Sequence, residues 1–315
     1  MKTIKILRGL GLALLFLLLL HLAVRTLGFA MYSVLERHKA EDKVWTGDFA
    51  SACFAMTPRN SVDMVLIGSS HQYCSVDVTM LNREYGFNSI LLASSGQDLE
   101  LNYYAAMAAI ELQHPKTIVL EMLAAGRPDK PGEIRRSELL DNLPNWSRAK
   151  LMAVRALGDA PYLRYYPLTA MHNRWPDLRR KDFHLPVNPL KGERLRFLYT
   201  KVTPLEPWEL IPREQTAPME EEAAAWLEKI VSLCEENDIE LILYTAPYHA
   251  PESAQAIFNG LDGYAKEHGL RYRNMMYDMD AIGLDPESDF IDEGHVNCCG
   301  QEKLTRFLAE TLLAE

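Results

Sequence analysis

Serine, histidine and aspartate occur in this chain at positions from which they could carry out acyl transfer. The stretch DMVLIGSSHQYCSVD runs from an apolar segment, Val62 to Ile67, straight into Gly68-Ser69-Ser70-His71. Far downstream, SDFIDEGHVNCCG holds Asp292 and His295 three residues apart, a spacing that can set a carboxylate and an imidazole on one side of a turn. An imidazole can take a serine proton while a carboxylate fixes its tautomer and stabilises the imidazolium, and the serine oxygen then attacks an ester carbonyl. Ser70, His295 and Asp292 would hold those three roles, with Ser69 the rival nucleophile and Asp289 the rival carboxylate. The developing oxyanion needs preorganised N–H donors. The backbone amides of Ser70 and of Gly96, in ASSGQ, are the best placed, because glycine lets a backbone come close.

Each of these residues also has a plainer use. Ser70 alone would pass for a turn or helix-capping residue. His71 reads as a loop residue that packs locally, because a zinc site using His71 and His295 has no third ligand at diagnostic spacing. Glu121, at the end of an apolar run, is either a carboxylate bonded to loop amides or a residue lining the site. Asn297 reads as satisfying its turn. Asn145-Trp146-Ser147 is a glycosylation sequon only in a eukaryotic secretory setting.

The elements that must position the site follow from hydrophobic patterning. Val62–Ile67, Asn88–Ala93, Lys116–Met122, Glu240–Pro247 and LRYRN read as five short strands. Between them lie the helical patterns VDVTMLNREYG, ELNYYAAMAAIELQ, EEEAAAWLEKIVSLCEEN and PESAQAIFNGLDGYAKEHG, and GQEKLTRFLAETLLAE follows the last. Apolar strands alternating with helices predict an α/β fold, a doubly wound, flavodoxin-like five-stranded parallel sheet covered on both faces. Ligands of such sheets bind beyond the carboxyl ends of the strands, where Ser70, Gly96 and Glu121 fall. Residues 124–217 are too long for a simple connection and read as an inserted, partly helical cap. Gly126 to Lys181 carries twelve Lys/Arg against six Asp/Glu, either a solvated helical surface or a basic wall facing an anionic substrate.

Ahead of this domain, Lys2, Lys5 and Arg8 precede GLGLALLFLLLLHLAV. The run is long for a cleaved signal peptide, the competing reading, and fits an uncleaved membrane anchor. Basic residues before the span keep the amino end in the cytoplasm, so the rest of the chain is expected outside it. The expected organisation is an anchor over 1–31, a juxtamembrane linker over 32–60 and an α/β domain over 61–315. The net charge of −10 argues against a general affinity for nucleic acid. Five cysteines with no CxxC pair point to neither a disulfide framework nor a zinc site, and no cofactor or metal is expected.

These blocks resemble the SGNH (GDSL-like) hydrolase superfamily. GSSH looks like its first block, with Ser69 in the usual aspartate position and Ser70 in the nucleophile's. Gly96 is similar to the second-block glycine, and Asp292-Glu293-Gly294-His295 to the closing DxxH. The resemblance covers roughly 61–123 and 219–315, and its register chooses Ser70 over Ser69. One block departs: where the family has Gly-x-Asn-Asp after the third strand, this chain has LEMLAAG, so the side-chain amide donor to the oxyanion is missing. An anchor, a GSS-type block and a long insert look closest to the membrane-anchored branch that includes the D-alanyl-lipoteichoic acid biosynthesis proteins. That likeness implies an extracytoplasmic serine esterase or O-acyltransferase acting on acyl groups of an acylated or anionic cell-envelope polymer. The alternative is a non-catalytic binding or scaffold subunit that recruits such a polymer or a membrane-bound acyltransferase.

Overall fold

The computed structural model describes residues 2–41, 54, 57–127, 140, 143, 144, 147–157 and 199–314. Much of the expected linker and cap, including Asn145 and Trp146 of the sequon and most of the basic stretch, lies outside them. Helix α1 spans Lys2–Glu41. Within it, the 19 residues Ile6–Val24 are long and apolar enough to cross a membrane; at helical rise they span about 28 Å, close to a bilayer's hydrocarbon thickness.

The α/β domain is built on β1 (Met64–Gly68), β2 (Ser89–Ala93), β3 (Thr117–Glu121), β4 (Glu240–Thr245) and β5 (Arg271–Asn274). They form one parallel sheet in the order β2-β1-β3-β4-β5, the expected doubly wound architecture. Strands β1 and β2 are buried at every position, which is why they read as unbroken apolar runs rather than as alternation. The register pairs Gly68 with Ala93 and Glu121 with Tyr244, so the strand ends form one edge.

After β1 come α2 (Ser70–Ser75) and α3 (Val78–Glu84). The stretch expected as a loop is therefore a short helix that starts on Ser70. Ser69 caps it, its side chain accepting from the His71 N–H, and Asp77 caps α3 through Thr79 and Met80. Helix α4 (Leu99–Gln113) returns the chain to β3 and packs against α5 (Arg148–Leu157), the described helix of the insert, and α6 (Glu221–Glu235). Helix α7 (Glu252–Glu267) connects β4 to β5, and α8 (Met279–Ile282) follows. The segment before the final helix, expected as a loop, holds a small antiparallel ribbon, β6 (Phe290–Asp292) and β7 (His295–Val296). Helix α9 (Cys298–Glu310) then packs on α2 and α3, with Asn297 as its cap.

Candidate active site

The turn that carries Ser70 is tightly built. Gly68 has no room for a side chain, since a Cβ there would stand 2.9 Å from the Gln72 Cβ and 3.0 Å from the Glu121 Cβ. Ser70 opens α2, where the first amides of a helix have no carbonyl partner within it. Its backbone N–H is thereby available at the sheet edge. Gly96 follows β2 with φ +75°, a left-handed conformation natural to glycine. Its N–H has no backbone acceptor among the described residues.

The ribbon explains the Asp292/His295 spacing. The two residues are cross-strand partners joined by the two-residue turn Glu293-Gly294, so their side chains meet across the pair. Nδ1 of His295 lies 2.8 Å from Oδ1 of Asp292, and its Nε2 lies 2.7 Å from Oγ of Ser70. The three expected residues thus form one continuous hydrogen-bonded row. Burial alone would raise the Asp292 carboxyl. The hydrogen bonds from His295 and the Gly294 N–H outweigh it and hold the group below its ordinary value, as a carboxylate.

The ribbon is braced from several sides. The His249 N–H, after β4, donates to the Glu293 carbonyl at 2.9 Å. Thr203 donates to the Phe290 carbonyl through its N–H and to the Ile291 carbonyl through its hydroxyl. Trp208 stacks on His249 and meets Phe290 edge-on. This bracing by residues 199–217, the described end of the expected cap, had no signal in residue spacing.

The rival residues have other engagements. The Asp289 carboxylate is buried and accepts from the Asp285 N–H and from Lys303 Nζ, away from His295. The Ser69 hydroxyl donates to Glu121 at 3.2 Å. His71 is buried in the helix, edge-on to both Tyr248, with ring centroids 4.7 Å apart, and His295, 5.0 Å apart. Burial first, and then the neighbouring His295 and Arg127, keep its imidazole well below the ordinary value and therefore neutral. Glu121 is fully buried, accepting from the Leu123 N–H as well as from Ser69. Burial pushes its carboxyl up to about 8 against these hydrogen bonds. Of the two readings open for Glu121, the buried carboxyl bonded to a loop amide is the observed one. Cys74, Cys234, Cys298 and Cys299 are free thiols.

Sheet order, strand-end location and the Ser–His–Asp row define an α/β protein with a serine-hydrolase-like constellation at the carboxyl edge of its sheet. No protein-family model matches the sequence, and no curated protein matches it. Among solved structures, the chain is similar to a protein of Bacteroides fragilis NCTC 9343 assigned as an acylhydrolase, at 12% identity and a TM-score of 0.42, over 84% of this chain and 94% of that one. It is also similar to a catalytic mutant of an acetylxylan esterase from Geobacillus stearothermophilus, at 13% identity and a TM-score of 0.38, over 81% of this chain and 96% of that one.

Proposed function

We propose that this protein is a membrane-anchored, extracytoplasmic serine esterase or O-acyltransferase of the SGNH type, acting on acyl esters of a cell-envelope polymer. One observation carries the reading: the Ser70 hydroxyl, the His295 imidazole and the Asp292 carboxylate lie in a single row with contacts of 2.7 and 2.8 Å. In the reaction, His295 Nε2 takes the Ser70 proton as Oγ bonds to the ester carbonyl carbon. Asp292 holds the tautomer through Nδ1 and stabilises the imidazolium. The carbonyl oxygen becomes an oxyanion facing the Ser70 and Gly96 N–H groups. His295 then returns the proton to the departing alkoxide, and a water or a polymer hydroxyl releases the acyl group from Ser70.

The membrane-length helix supports attachment, and the basic residues before it support an exported domain. The envelope polymer follows from the anchored branch that the sequence resembles. The test is to treat the full-length protein in detergent with a fluorophosphonate probe and an aryl acetate, and to locate added mass. An adduct on Ser70 that Ser70→Ala abolishes is the expected result. A wild-type protein with no adduct, together with unchanged envelope acylation in a Ser70→Ala strain, overturns the catalytic reading and favours a binding subunit.

A further inference from the structure

We propose that Glu121 is a positioning residue for Ser70: reaching from the end of β3, its carboxyl fixes the turn that carries the nucleophile and ties it to the neighbouring strand-end loop. The inference rests on the reading of Ser70 as nucleophile. Glu121 touches none of the reacting atoms, so its effect is exerted through Ser69 and the backbone.

The bonds form a path that brackets Ser70. The Leu123 N–H, in the loop after β3, donates to Oε1 of Glu121 at 2.9 Å, and the Ser69 hydroxyl donates to Oε2 at 3.2 Å. Oγ of Ser69 in turn accepts from the His71 N–H at 3.2 Å. The residues on either side of Ser70 are therefore both held in a network anchored on Glu121. The Ala246 amide, after β4, also stabilises the charged form of this carboxyl. One side chain thus engages the ends of three strands. The turn also rests on it directly, because Gly68 is left without side-chain space by the Cβ atoms of Glu121 and Gln72.

Stability alone does not account for a carboxyl here. Glu121 is fully buried at the end of a strand whose preceding residues Ile118, Val119 and Leu120 are apolar and buried. Burial disfavours its charged form, a penalty that an apolar side chain at such a place would not carry. What an apolar residue could not supply is an acceptor for Ser69 and Leu123. Removing that acceptor frees the turn to shift, and a displacement of about 1 Å at a reacting group can lower a rate roughly a hundredfold.

The experiment measures aryl acetate turnover and fluorophosphonate labelling of Ser70 in full-length protein. Glu121→Gln keeps a carbonyl acceptor for Leu123 and an amide for Ser69, and should stay within about threefold of wild type. Glu121→Leu leaves the Leu123 N–H and the Ser69 hydroxyl without their acceptor, and the folded variant should lose about tenfold or more in kcat, with KM little changed. Ser69→Asp in a Glu121→Ala background returns a carboxyl to the vacated gap while preserving the helix cap, and should recover much of the rate that Glu121→Ala alone loses. Wild-type kcat and labelling in folded Glu121→Leu would overturn the proposal. So would failure of both the Leu and Ala variants to fold, which would make the carboxyl a structural group. If wild-type Ser70 itself takes no label, it is the catalytic reading that has failed, and this inference falls with it.

Discussion

Oγ of Ser70 lies 2.7 Å from Nε2 of His295, although 225 residues separate the two in the chain. Ser70 opens a helix at the end of a central strand, whereas His295 sits on a two-residue strand held by loops from elsewhere in the sheet. Replacing Ser70 with alanine removes only an Oγ at a first-turn helical position and should leave thermal unfolding nearly unchanged. Ester turnover should fall by about a thousandfold or more, the scale seen when a nucleophile that works as one unit with its base is removed. Parallel calorimetry and aryl acetate assays measure both.

Asp292 bears on the same row from its far end. Asp292→Asn preserves the size of the side chain but removes the charge, and its amide can favour the wrong imidazole tautomer. A loss in kcat of roughly a hundredfold to ten-thousandfold is expected with KM little affected. Retained activity in Asp292→Asn would show that the imidazole needs no charged partner.

The Glu121 carboxyl gives stability a pH dependence. Its folded value, about 8, lies above the ordinary 4.5, so between these values the folded chain binds more protons than the unfolded one. Stability must then fall as pH rises through that window, and the full cost is present above it. Glu121→Gln lacks this term. The variant should gain on wild type between about pH 5 and pH 8.5, by an amount on the order of a few kcal/mol. Unfolding midpoints of both proteins at the two pH values provide the comparison.

Gly68→Ala tests the crowding beneath Ser70. An added methyl would crowd the Cβ atoms of Gln72 and Glu121, which move only with their backbones, so it costs at least roughly the 1–3 kcal/mol typical of overpacking. Because the displaced groups support the Ser70 turn, turnover should drop together with stability. A variant with wild-type melting and wild-type kcat would show that the turn has slack.

Attachment can be checked without any assay of activity. If the Ile6–Val24 stretch remains an anchor, the full-length protein should stay with the membrane fraction through an alkaline carbonate wash, with its amino terminus intact by mass. A soluble protein lacking that segment would identify a cleaved signal instead.

Residue patterns made the sheet legible because its strands are buried on both faces and so appear as short apolar runs between helical stretches. The candidate triad was legible for a related reason: strand ends in such a sheet are where ligands sit, and the Asp292-x-x-His295 spacing matches a two-residue hairpin turn. Helix α2 was not, since its six buried residues, SHQYCS, are mostly polar and show no apolar stripe. Strands β6 and β7 are three and two residues long, too short for alternation to register. Glu121 stayed ambiguous because its partner Ser69 is 52 residues away and only the pairing of β1 with β3 brings them together.

Helix α9 holds α2 and the cap of α3 by one buried hydrogen bond each: Gln301 Nε2 donates to the Tyr73 carbonyl, and the Asp77 N–H donates to the Thr305 hydroxyl. During synthesis, Ser70 emerges from the ribosome well before either of these supports, or His295, exists. A nascent chain therefore passes through a long interval in which the serine is made but its imidazole partner is not, and the Ser70–His295 contact forms only once this later segment has docked.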